Sequence, residues 1–117
     1  MKITPSSLSY CDLSIYHDSE ISQFVVDYTN HRVQIPLKST YTYANEVSEK
    51  ISMSFNNVKS LCLNIDEKWG PGIYIYEITI VSNHSNEDKP EQTINTTILL
   101  NSGDMIHIIY ESIEIQQ

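Results

Sequence analysis

Four histidines (His17, His31, His84 and His107) and two cysteines (Cys11 and Cys62) are the side chains of this chain best suited to nucleophilic, acid–base or metal chemistry. A nucleophile needs a base within reach and a group that orients the base. None of the histidines stands in a recognisable Ser or Cys motif. His107 alternates with Met105 and Ile109 and reads as a sheet histidine. His17-Asp18 could be a metal or acid–base pair, but it reads better as a turn in which Asp18 accepts local N–H bonds. No CxxC, HExxH or paired-His spacing supports zinc, and the 3 glycines form no phosphate-cradling loop. The carboxylate pairs Asp66-Glu67 and Glu87-Asp88 lie in loop-like runs. The expectation is a protein that is not an enzyme, with no catalytic residues, metal or cofactor.

Binding chemistry is better represented. Trp69-Gly70-Pro71-Gly72 fixes a tight turn, and Trp69 is the largest apolar side chain of the chain. Two readings follow: a buried anchor that caps one end of the core, which is favoured, or a partner hot spot, since interfaces favour Trp and Tyr. Charge is uneven. With 7 Lys plus Arg against 15 Asp plus Glu, the net charge is -8, and from Pro90 to Gln117 there is no cation. Neutralising phosphates takes clustered Lys and Arg, so direct nucleic-acid binding is not expected. A basic membrane-surface helix is excluded by the same count. The acidic surface reads either as a solubilising coat or as a face that steers toward a basic protein.

The elements that must position these residues are strands. The chain holds 17 Ile, 6 Val, 8 Thr and 8 Tyr but one Ala and 7 Leu, a mix that suits pleated surfaces and not helices. Period-two alternation places Val33, Ile35 and Leu37 on one face, and Ile51, Met53 and Phe55 on another. Residues 21–28 read as a buried strand, and Thr29-Asn30-His31 as a hairpin turn. Asn56-Asn57 suits a two-residue turn, after which Leu61, Leu63 and Ile65 run in step. Pro36 implies an edge or a bulge. Residues 73–82 form the longest strand candidate, apolar on both faces and so central, with Tyr74, Tyr76, Ile78 and Ile80 on one side. Residues 83–92 read as a solvated hairpin loop. Ile94, Ile98 and Leu100 share a face, Asn101-Ser102-Gly103-Asp104 is a turn, and Ser112 marks a bulge in the final strands. Residues 44–50 are the one helix candidate, better read as a loop. The expected fold is a single all-β domain over 1–117. Its expected architecture is an antiparallel β-sandwich or strongly bent sheet of about eight strands, with at most one or two short helices.

The opening MKITPSSLSYCDLSIY has no continuous apolar run, so no secretory signal is expected, and no stretch is long enough to span a membrane. The expectation is therefore a cytosolic protein with two reduced thiols, Cys62 packed between Leu61 and Leu63, and accidental glycosylation patterns at Asn83 and Asn95.

Four short segments carry a resemblance: Tyr16-His17-Asp18-Ser19-Glu20-Ile21, Phe55-Asn56-Asn57-Val58, Trp69-Gly70-Pro71-Gly72 and Asn101-Ser102-Gly103-Asp104. Together they resemble the small, mostly β immunity proteins of bacterial polymorphic toxin systems, including contact-dependent growth inhibition, and within them the immunity protein 50 group. The resemblance implies a cytoplasmic monomer that binds and neutralises a cognate toxin one to one. Toxins of such systems are often nucleases, here an RNase in preference to a DNase. An acidic inhibitor suits the basic cleft of such an enzyme. The candidate partner-binding residues are Asp66, Glu67, Asp104, Glu111 and Glu114, with Trp69 as structural residue or hot spot. The alternative is an acidic β-rich interaction domain or homo-oligomer unrelated to toxins.

Overall fold

The computed structural model describes residues 2–10, 13–21, 23–39, 49–84 and 92–116. The strands are β1 (Lys2–Ile3), β2 (Glu20–Ile21), β3 (Val25–Asp27), β4 (Arg32–Ser39), β5 (Glu49–Asn56), β6 (Ser60–Leu63), β7 (Ile75–His84), β8 (Gln92–Leu100), β9 (Met105–Tyr110) and β10 (Ser112–Gln116). Two 3-10 segments, Pro5–Tyr10 and Leu13–Tyr16, precede β2, and no α-helix occurs among the described residues. A six-stranded sheet runs β1-β10-β5-β4-β2, with β3 also on β4, and a four-stranded sheet runs β6-β9-β8-β7. All pairings are antiparallel. The fold is the expected all-β, sandwich-like one.

The core follows from alternation. Val33, Ile35 and Leu37 of β4 face inward with Ile51, Met53 and Phe55 of β5 and Ile113 and Ile115 of β10, all buried. From the other sheet come Ile75, Ile94, Ile98, Ile106, Ile108 and Tyr110, and the second 3-10 segment adds Leu13 and Tyr16. Period two puts every second side chain on the core side, which is why isoleucine-rich strands fill this interior so evenly. Phe55 meets Tyr110 edge-on across the sheets, ring centroids 4.8 Å apart. Within this core the Thr96 and Tyr110 hydroxyls lie 2.7 Å apart, sealed from water.

Several expectations are corrected. Residues 21–28 do not make one buried strand: β2 and β3 pair with different parts of β4, and Val25 and Val26 are exposed. Ile35 and Pro36 fall opposite the break between them, where a missing N–H is tolerated. The turn at Asn57, φ 52°, leads not to a hairpin but from one sheet to the other, because β5 pairs with β4 and β10 while β6 pairs with β9. Glu111 marks the return crossing where a Ser112 bulge was expected. Beyond Leu61 the third run turns outward: Leu63 and Ile65 are exposed, as is Cys62, which pairs in register with His107 on the outer face.

β7 is the longest strand, at ten residues, but it is an edge and not a central strand. A register shift between Ile75 and Glu77 lets Tyr76 bulge outward, so Ile75, Ile78 and Ile80 face the core without it. The helix candidate at 44–50 lies outside the described residues up to 48, and Glu49 and Lys50 begin β5. The β7–β8 connection is a hairpin, with 85–91 outside the described residues.

Candidate functional site: aromatic rings on a braced loop

The segment joining β6 to β7 carries the Trp69 turn, and the β8–β9 turn holds it in place. Asp104 is the brace. Its Oδ1 accepts the backbone N–H groups of Asp66 at 2.7 Å and Glu67 at 2.8 Å, and its Oδ2 accepts the Ser102 hydroxyl at 3.1 Å. Donation from Glu67 N–H, then from Asp66 N–H, holds the Asp104 carboxyl below the usual carboxylate range; desolvation opposes this, and Ser102 and the Lys68 charge assist. Around this centre, Trp69 N–H donates to Ser102 O at 2.9 Å and Asn64 N–H to Met105 O at 3.1 Å. Tyr74 N–H donates to Asn101 Oδ1 at 3.1 Å.

Glycine is required at two positions of this assembly. Gly103 has φ 89°, and a Cβ there would approach the Trp69 ring to 3.1 Å. A Cβ at Gly72 would run into the Asn101 side chain.

The brace presents rings and does not bury them. Trp69 is 62% exposed and Tyr76 55%. They meet edge-on with centroids 6.2 Å apart, and the His17 ring lies tilted 6.4 Å from Tyr76. Ile65, on the same loop, is 76% exposed. The expectation of a buried Trp69 anchor is therefore corrected. The turn is fixed by backbone bonds and Asp104, which leaves the indole free to lie over Gly103. Asp18 has φ 66°, and His17 Nδ1 lies 3.1 Å from its carboxylate, so the pair forms a turn beside the rings.

The five candidate carboxylates do not converge. Asp66 and Glu67 are exposed at the rim of the rings. Asp104 is buried and committed to the loop, so it positions the site and cannot itself meet a partner. Glu111 sits at the opposite end of β9, 3.4 Å from Lys59 Nζ and accepting from Asn57 Nδ2 at 3.0 Å. Glu114 lies on the outer face of the other sheet, in register with Lys2 and Ser54. Tyr76 was missed as a site residue by sequence reasoning, since only the bulge brings it to Trp69, and His17 was read there as part of a turn and not as a neighbour of the rings.

Lys68 stands exposed on the loop itself, between Glu67 and Trp69, while other cations lie elsewhere. Register places Arg32, Lys38 and Lys50 on the outer face of the larger sheet. The outer face of the smaller sheet shows Cys62, His107, Thr97 and Thr79 in one row, Ser60, Ile109, Asn95 and Val81 in the next, and Met105, Leu99 and Glu77 in a third. Among the described residues that face holds no Lys or Arg. Among the described residues no His, Cys, Asp and Glu cluster could hold a metal ion.

A groove of about 400 Å³ between the β3–β4 tip and β6 is lined by Asp27, His31, Arg32 and Lys59 over valines. Its carboxylate and its lysine are already used: Asp27 accepts from Asn30 Nδ2 at 2.7 Å, and Lys59 Nζ lies 3.4 Å from Glu111. The arrangement that stands out chemically is a rigid, exposed aromatic pair with an acidic rim, which is the equipment of a binding surface.

Comparison of the chain with protein-family models and with curated proteins finds no match.

Proposed function

We propose that the protein is an immunity protein that binds and neutralises a cognate bacterial toxin with a basic surface, a nuclease and an RNase in preference to a DNase, in the cytosol. The observation that carries the binding reading is the exposed Trp69–Tyr76 pair, fixed on a loop that a buried carboxylate braces. Interfaces draw most of their energy from a few such rings, and a pre-organised loop loses little entropy on docking. Asp66 and Glu67 outnumber Lys68 at the rim, and the sheet face beside it, which has no Lys or Arg among the described residues, does not repel a basic partner. The toxin itself is supplied by the resemblance of the four segments described above. One toxin per chain is the stoichiometry this single patch supports.

The test is co-expression with the product of the neighbouring open reading frame, scored by growth and by co-purification. The intact chain should rescue growth and be recovered with its partner. Trp69→Ala and Tyr76→Ala should each weaken the complex by about 30-fold or more, the scale of a hot-spot truncation. A neighbour that is not toxic, or is toxic but neither bound nor neutralised, ends the toxin reading. Full affinity in both aromatic variants ends the assignment of the site.

A further inference from the structure

The Trp69–Tyr76 pair has a shape and a charged surround that together select an occupant. The two ring planes are inclined at 71° with centroids 6.2 Å apart, so the rings form two walls of a corner. Both residues are more than half exposed, which leaves much of each wall open to solvent. The indole lies over Gly103, and that contact holds its wall in place. The faces of such rings are electron-rich and attract a cation. Carboxylates stand around the corner. Asp66 and Glu67 precede Trp69, Glu77 follows Tyr76, and Asp18 follows His17, whose ring lies 6.4 Å from Tyr76. All four are exposed. Lys68 is the opposing charge on the loop, and it acts on Asp104. Among the described residues no Lys or Arg is seated on either ring. Such a surround favours a cation over an aliphatic side chain, because a cation meets ring faces and carboxylates at once.

We propose that the Trp69–Tyr76 corner receives an arginine side chain of the basic partner, its guanidinium stacked on the rings and its N–H groups donating to the acidic rim. The assignment rests on the reading of this loop as the docking surface for a basic protein. Arginine suits the corner better than lysine. A guanidinium is planar, so it lies flat on one wall while its N–H edge reaches a carboxylate. An ammonium is compact and more strongly hydrated, so it gives up more water on entry. The brace matters here too. Asp104 holds the backbone of Asp66 and Glu67, so the loop that carries the indole and these two carboxylates is set before the cation arrives. Lys68 repels an entering cation and Glu67 attracts it, so neutralising the one and neutralising the other act in opposite directions. A purely apolar contact has no such signature.

The indole N–H of the single tryptophan reports on the corner in a proton–nitrogen NMR spectrum of the intact protein. The probes are acetyl-arginine amide, acetyl-lysine amide and acetyl-citrulline amide, titrated at a matched ionic strength of about 0.1 M. Citrulline keeps the plane and loses the charge; lysine keeps the charge and loses the plane. The indole N–H should shift with the arginine probe, with an initial slope about fivefold or more above that for citrulline and about twofold or more above that for lysine. Tyr76→Leu should cut the arginine slope about twofold or more. Glu67→Gln should lower it and Lys68→Gln should raise it, each by about 1.5- to 5-fold. Resonances away from the loop that keep their positions show that each variant is folded. An indole that ignores the arginine probe, answers citrulline or lysine as strongly, or moves the same way in Glu67→Gln and Lys68→Gln overturns the proposal. No toxin is present, so these outcomes stand apart from the growth assay. A complex that needs Trp69 while the indole ignores arginine overturns this proposal alone. An arginine response in a chain whose neighbour is not toxic supports it and ends the toxin reading alone.

Discussion

Tyr110→Phe removes a single oxygen from the centre of the protein. Tyr110 and Thr96 are 0% and 1% exposed, and their hydroxyls lie 2.7 Å apart. The ring and its edge-on contact with Phe55 survive the substitution, so packing changes little. What is lost is a partner for a hydroxyl sealed from water, which costs about 1–3 kcal/mol. With about 2.1 cal/mol/K of unfolding entropy per residue, each kcal/mol moves the melting temperature of a chain this size by about 4 °C. The expected drop is therefore about 4–12 °C. Thr96→Val is nearly isosteric and removes the other half of the pair. A four-protein cycle of urea denaturation should show the double variant costing at least about 1 kcal/mol less than the sum of the singles, because Thr96→Val removes the hydroxyl whose partner Tyr110→Phe takes away. Additivity within about 0.3–0.5 kcal/mol would refute the reasoning, since it would mean that the two hydroxyls do not depend on each other.

Other expectations follow from the braced loop. Trp69→Ala should cost about 2 kcal/mol of stability, from the roughly 80 Å² of a 62%-exposed ring that is covered, and not the 3–5 kcal/mol of a buried aromatic; chemical denaturation measures it. Gly103→Ala places a side chain at φ 89° against the indole, and should lower stability by about 1–2 kcal/mol and shift the emission of the single tryptophan. Asp104→Asn should loosen the loop, read by the same emission. Because the folded state lowers the Asp104 pKa, its stabilising contribution is complete above the unfolded value near 3.8 and is lost as pH falls through the lower folded value. The stability gap between wild type and Asp104→Asn should therefore narrow on acidification below about pH 4 and hold steady above about pH 5.

What could be read from the residues alone was mainly what depends on neighbours in sequence. Val33, Ile35 and Leu37, or Ile51, Met53 and Phe55, announce their buried faces by alternation, and Asn57 and Gly103 announce positive φ by type. What eluded the sequence depends on partners far away. Isoleucines on both faces of 73–82 read as a strand covered on both sides, yet the sheet ends at β7 and leaves Glu77, Thr79 and Val81 in solvent. One bulged residue turned Tyr76 from the expected core face toward Trp69. Asp104 looked like a surface turn carboxylate, because its donors at Asp66 and Glu67 lie 38 and 37 residues away. The Trp69 turn was legible as a turn, but whether its ring faces in or out was decided by that same distant carboxylate.

The pairing of β1 with β10, Lys2 opposite Glu114 and Ile3 opposite Ile113, bears on how the chain comes off the ribosome. The β4–β5 pair emerges early, but one flank of β5 waits for β10, the last made of the described strands. Until Ser112–Gln116 appears, Ile3 has no ladder and Met53 and Phe55 line an open seam. The larger sheet therefore stays unfinished while β6 to β9 are made, and is completed in a later step that pairs β10 with β1 and β5. Truncation within β10 should thus behave less like trimming a tail than like halting assembly before its closing step, and should leave chains that holdase chaperones retain.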